Sequence, residues 1–247
     1  MPFTFSHPAI VLPLTILPQK YYSLTGLIIG SLTPDFEYFI RMSIKSKYFH
    51  TISGIFWFDL PLGIALSFVF HLIVRNTLFD NLPRHFQARL RVFHSFQWTT
   101  YFLKHWAIVC LSLLLGAASH LFWDSFTHTD GYFVVRIPAM NFTYNMFNET
   151  VPLFKILQHC STLVGGLVLC CAFYTLPSAN GPFSKVDKNY WFLFIGLLIT
   201  VLGLRLLLGS SSLKTGHLVA SIISAGLLSL ILTPLVLKTL KKQASTT

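Results

Sequence analysis

The chain has 247 residues, of which 53% are hydrophobic and only 11% charged, against about 25% charged in an average soluble domain. With a mean hydropathy of +0.64, that balance makes lipid the main solvent and excludes an ordinary soluble domain. The formal net charge of +10 comes without a Lys/Arg run interleaved with aromatics. It points to membrane-flanking loops and anionic lipid, not to nucleic acid.

Two apolar pieces open the chain, at 8–17 and 21–32. Each is too short for the roughly 20 residues that a spanning helix needs. Pro8 and Pro13 fit a helix start and a bend, and Pro18 and Pro34 end the two pieces. The N-terminus lacks the basic region of a removable signal peptide. Five longer apolar stretches follow, at 54–74, 106–123, 151–176, 191–208 and 217–237. The sequence therefore predicts an all-α, polytopic helical membrane protein with about five full spans plus two short N-terminal helices. Residues 1–176 read as a membrane-embedded helical domain that carries the ionisable clusters. Residues 177–247 read as a C-terminal two-helix membrane segment, an anchor or packing pair separate from any chemistry. Cys110, Cys160, Cys170 and Cys171 contain no C-x-x-C and read as small packing residues.

Charge between the spans suggests an orientation. Arg75, Arg84, Arg89, Arg91 and Lys104 face Asp80 alone in one connection. Lys185 and Lys188 mark another, and Lys238, Lys241 and Lys242 the tail. Positive loops favour the cytoplasm. That places 124–150 and the segment before Gly54 outside, although Arg41, Lys45 and Lys47 run against this.

Ionisable groups beside spans are costly and so mark candidate sites. In His120-Leu-Phe-Trp-Asp124-Ser-Phe-Thr-His128 a helix would put all three polar residues on one face. Imidazole and carboxylate suit zinc or a similar ion. The alternative is a satisfied pair at a helix end, and Asp130-Gly131 suggests a turn that takes His128 off the helix. Asp35 and Glu37 flank Phe36 after Pro34. They face a common site from a turn, or favour a helix N-terminus. His7, His50 and His159, the last near Lys155, each stand beside an apolar segment, where an interfacial role is the simpler reading.

Chain direction alters that balance. With segments alternating up and down, His7, Asp35, Glu37, His50, His120, Asp124 and His159 all arrive at one membrane face, which favours a shared polar site. His71 lies about 31 Å further along the helix from His50, towards the other face. His94 and His105 belong with the basic connection. Asp59 is close enough to His50 to support it.

These residues resemble a known bacterial family. Met1-Pro-Phe-Thr-Phe-Ser-His7-Pro and Ile29-Gly-Ser-Leu-Thr-Pro34-Asp35-Phe-Glu37-Tyr-Phe are similar to the family called domain of unknown function 4184. So are His120-Leu-Phe-Trp-Asp124-Ser-Phe-Thr-His128-Thr-Asp130-Gly131 and Phe154-Lys155-Ile-Leu-Gln158-His159. The resemblance covers about residues 1 to 175. It extends to a broader group of membrane-bound metal-dependent hydrolases, whose pattern matches His7, Pro34-Asp35, His50-Thr51 and His120/Asp124. More distantly it reaches zinc-dependent phospholipase C, although this chain lacks the further H-x-x-x-E motif.

The resemblance implies a membrane-bound metal-dependent hydrolase in a bacterial inner membrane, its site on the extracytoplasmic face. His7, Asp35, His50, His120, Asp124, His128 and His159 are the implied metal set, with a divalent ion, zinc foremost. Glu37 would accept a proton and Lys155 would stabilise an oxyanion. A phosphoester or lipid-linked substrate from the bilayer suits a membrane-edge site. The other readings are a transporter, a non-catalytic metal-binding membrane protein, and a structural protein whose cluster only holds the bundle.

Overall fold

The computed structural model describes residues 3–44, 50–146, 149–209 and 214–244. Lys45 and Lys47 lie outside the described residues. The described residues are mostly helical, with one small antiparallel hairpin, β1 (Thr143–Met146) and β2 (Glu149–Pro152). The first short piece is a helix α1 (Pro8–Val11) that tightens into a 3-10 segment over Leu12–Ile16 around Pro13, which cannot donate a backbone hydrogen bond. The second is α2 (Leu24–Gly30), whose N-terminus is capped by the Ser23 hydroxyl accepting from Gly26 N. Helix α3 (Phe36–Arg41) follows.

Among the described residues, five helices are long and apolar enough to cross a membrane. They are α4 (Ile52–Asp80), α6 (Trp98–Asp124), α8 (Leu153–Thr175), α9 (Lys188–Leu208) and α10 (Thr215–Ala244), with α5 (Arg84–Leu90) and α7 (Tyr132–Arg136) short helices between them. The chain is thus an all-α polytopic membrane protein, as its hydropathy predicts. Leu163, Leu167, Ile199 and Leu207 stand exposed on these helices, as lipid-facing residues do. Most of the spanning helices outrun their apolar runs, α8 excepted. Helix α6 starts at Trp98, bending at His105 (φ −128°, ψ 25°). In α4, wide π-type turns span Ile55–Asp59 and Phe70–Val74. The first lies just ahead of Pro61, whose ring would crowd the carbonyl four residues back in a regular helix.

The chain forms two compact units that interleave along the sequence. The first contains residues 1–35, 47–65 and 102–175. Its defining contact is the crossing of α2 with α6. A Cβ on Gly30 would fall 2.2 Å from the Leu113 carbonyl oxygen, and one on Gly116 would fall 2.5 Å from the Leu27 carbonyl oxygen. Gly26, one turn before Gly30, sits equally close to Ser112 and Val109. Small residues four apart let helix backbones touch where lipid supplies no hydrophobic drive. Ser112 Oγ also accepts from Ser23 N at 2.8 Å, tying the start of α2 to α6. On the other side Gly165 of α8 admits Ser6, and Thr162 bonds both Phe3 N (3.0 Å) and Ser6 Oγ (3.1 Å).

The second unit contains residues 36–46, 66–101 and 176–247. Here α9 packs along α10, and α10 along α3. The C-terminal pair therefore does more than anchor. Ser224 Oγ donates to the Phe39 carbonyl (2.6 Å) and Ser221 Oγ to the Met42 carbonyl (3.0 Å), while His217 Nδ1 accepts from Ile44 N (2.9 Å). These bonds hold Met42 in the left-handed region at φ 48°, which costs a side-chain-bearing residue about 1–2 kcal/mol. In the same unit the guanidinium of buried Arg75 donates to the carbonyls of Phe96 (2.8 Å) and His94 (3.2 Å), closing the turn before α6.

Gly30→Leu should lower the thermal midpoint in detergent by the equivalent of at least about 1–3 kcal/mol, the usual cost of overpacking. Gly196→Leu, where an added Cβ meets open space, should leave it unchanged. Equal midpoints for the two variants would mean that the α2–α6 crossing is not the close contact described.

Candidate metal centre

Four side chains from three parts of the first unit converge. Asp35 leaves the 3-10 turn Thr33–Asp35 after α2, and His50 directly precedes α4. His120 and Asp124 occupy successive turns at the end of α6. One ligand atom of each lies within 4.8 Å of the other three. His120 Nε2 is 3.6 Å from Asp35 Oδ1 and 3.2 Å from Asp124 Oδ2. His50 Nε2 is 3.6 Å from Asp35 Oδ1 and 3.5 Å from Asp124 Oδ2. The result is a closed N, O, N, O circuit. Four donors bound tetrahedrally at 2.0–2.2 Å would be separated by about 3.3–3.6 Å. The four N–O separations fall at or close to that range, as donors that could share one metal ion do.

The remaining atoms of these groups are occupied, which fixes how each one points. His120 Nδ1 donates to the Ser31 carbonyl at 2.7 Å, which aims Nε2 at the circuit, where the neutral ring would offer a lone pair to an ion. Thr4 Oγ1 donates to Asp35 Oδ2 at 2.5 Å, leaving Oδ1 inward. His7 Nε2 sits 3.2 Å from Asp124 Oδ1, and its ring stacks on His120 at 3.7 Å between centroids. Thr4 and Ser31 escaped the sequence reading. Thr4 stands one turn before His7 in the opening motif, which was a signal. A backbone carbonyl such as that of Ser31 leaves none.

Asp35 and His120 are completely buried and Asp124 nearly so, yet among the described residues Asp35 Oδ1, His120 Nε2 and Asp124 Oδ2 have no hydrogen-bond partner. A buried polar atom left in that state costs about 1–3 kcal/mol. These three atoms are the ones that meet in the circuit, so a shared cation answers all three at once. Nitrogen and carboxylate donors without thiolate suit zinc, manganese or iron. The His50 side chain is 22% exposed, which leaves an approach to the ion.

Electrostatics tie the circuit together without the ion. Burial opposes ionisation of Asp35, but the attraction of the neighbouring His120, His50 and His7 rings outweighs it and holds its carboxyl well below the usual range. Burial likewise opposes charging of His50, but Asp124 and Asp35 outweigh it and raise its pKa to about 9.

The structure separates the other sequence candidates. His128 has left α6 by a turn, as Asp130-Gly131 suggested. Its Nδ1 donates to the Asp124 carbonyl (3.1 Å) and lies 3.5 Å from Asp124 Oδ1, and burial lowers its pKa. Glu37 belongs to the second unit and takes Arg41 Nε on Oε1 at 2.7 Å, so its carboxylate is committed to a cation on its own helix. Lys155 and His159 stand at exposed positions of α8, where Phe154 and Gln158 take the buried phase. A helix turns by about 100° per residue, which points His159 away from the side that Gln158 buries. Asp59 is buried in the wide turn of α4 and is not one of the four.

In metal-free protein, the stabilisation from charging His50 is complete below its ordinary pKa of 6.5 and is lost as the pH rises through about 9. Thermal melts from pH 6.5 to 10 should therefore show a falling alkaline limb, flattened in His50→Gln. An identical limb in the variant would remove His50 from the circuit.

Comparison with known proteins follows the same residues. No curated protein and no solved structure matches the chain. The family model described as Domain of unknown function (DUF4184) matches residues 1–235. That match takes in the four converging residues and most of the two C-terminal helices, and the chain belongs to this family.

Proposed function

We propose that the protein is a membrane-bound metal-dependent hydrolase. The observation that carries this reading is the circuit of two imidazole nitrogens and two carboxylate oxygens at 3.2–3.6 Å, three of them buried without a hydrogen bond. Asp35, His50, His120 and Asp124 would hold the ion. A divalent metal in such a site lowers the pKa of water towards neutrality and polarises an ester oxygen. Structural zinc sites are mostly rich in thiolate, and this all-N/O set with an open edge at His50 favours catalysis over mere bracing.

The remaining groups have distinct tasks. Ser31 and Thr4 orient His120 and Asp35. His7 steadies the outer oxygen of Asp124. His128, partly exposed and neutral near pH 7 because burial lowers its pKa, is the neighbouring group able to take a proton from an attacking water. His128 thereby takes the proton-acceptor role expected of Glu37. Since the cluster stands at the ends of α4 and α6, a phosphoester carried by lipid is the substrate class we favour. A transporter site belongs near the bilayer midplane. The surplus of Lys and Arg in 75–104 favours the cytoplasm for that connection, which supports an extracytoplasmic site in a bacterial inner membrane.

Metal content by mass spectrometry should approach one ion per chain in detergent-purified protein and fall at least tenfold in His120→Ala/Asp124→Ala of unchanged helicity. Cleavage of a model phosphodiester should follow the metal and drop about 10²–10⁴-fold in His128→Gln, the usual range for loss of a general base. Folded wild type that takes up no divalent ion even on reloading would sink the metalloenzyme reading. Full metal with no ester cleavage would leave only a binding site.

A further inference from the structure

A second feature, lying wholly within the other compact unit, carries chemistry that the metal centre does not use. A cavity of ≈ 520 Å³ opens between the end of α4, the approach to α9 and the end of α10. Its apolar wall includes Leu72 of α4 and Leu235 and Leu237 of α10, all within spanning helices. Its polar rim includes Lys185, Lys238 and Lys241, all exposed. Among the described residues none of these three lysines has an ion pair or a hydrogen bond. Two carboxylates also line the space, but both are engaged. Asp80 Oδ1 meets His94 Nε2 and Ser184 Oγ, each at 3.2 Å, and Asp187 Oδ1 accepts from Asn189 N at 2.9 Å.

We propose that this cavity is a binding site for one anionic phospholipid, its phosphate among Lys185, Lys238 and Lys241 and its acyl chain along Leu72 and Leu235. Charge and place both select this occupant. Three uncommitted ammonium groups call for an anion, and basic pockets at the ends of spanning helices take lipid headgroups. The apolar wall continues directly into the spans, which suits an amphiphile and gives a free phosphate nothing to bury. The positive-inside rule puts this rim in the leaflet where anionic lipid and lysine meet.

The test is native mass spectrometry of the full chain, with phosphatidylglycerol, phosphatidylcholine and inorganic phosphate offered separately. One phosphatidylglycerol should be retained at least tenfold more strongly than phosphatidylcholine, each lysine near a lipid surface contributing severalfold. The preference should vanish in Lys185→Gln/Lys238→Gln/Lys241→Gln, with metal content unchanged. Equal retention of both lipids by wild type would overturn the proposal without reference to any variant. So would displacement of phosphatidylglycerol by millimolar phosphate, or a preference surviving in the triple variant.

Discussion

The closeness of α2 to α6 governs the first unit. Gly26, Gly30 and Gly116 strip side chains from the crossing until each backbone lies where the other's Cβ atoms would be. At that distance the carbonyl of Ser31, just past the end of α2, reaches His120 Nδ1 across the interface. One imidazole is thereby fixed in tautomer and direction by a backbone atom that cannot swing away. Asp35 follows a tight 3-10 turn later and arrives opposite the same ring. A side chain at Gly30 would separate the helices and take the carbonyl out of reach. The polar chemistry at the end of α6 thus depends on the absence of side chains a turn or more away.

Around that crossing the chain solves an electrostatic problem. Two carboxylates and three imidazoles are withdrawn from water in one place, which isolated charges do not tolerate. Alternating nitrogen and oxygen turns mutual repulsion into attraction along every edge of the circuit. Thr4 and His7 occupy the outward carboxylate oxygens. What is left over is a concentration of electron pairs aimed at one point. Held by backbone and neighbours, these groups need little reorganisation to take up a cation, the condition for a tight metal site.

The second unit applies the same economy to the rest of the chain. A buried guanidinium spends its protons on carbonyls at the turn before α6. Serines and a histidine of α10 spend theirs on the backbone from Phe39 to Ile44, including a left-handed Met42 that needs outside support. Lysines at the rim, by contrast, remain uncommitted. A basic cluster left uncommitted at the border of the spans offers its charge to the membrane surface.

The sequence by itself determined the solvent, the number of spans and which end of the spans carries the ionisable residues. Hydropathy and chain direction are one-dimensional quantities, and a bilayer forces them into space: twenty apolar residues cross, and the next polar one emerges on the far side. On that basis Asp35, His50, His120 and Asp124 were already at one face. Rotation about each helix axis was beyond it. Lys155 and His159 share that face, yet their phase on α8 turns them outward, while Gln158 turns in. Glu37, two residues from Asp35, is bound to Arg41. The partition of α4 and α6 between two units, the Ser31 carbonyl behind His120 and the seat of α3 against α10 came only with the tertiary structure. Each depends on how closely two helices approach, and that distance is set by packing between residues far apart in the chain.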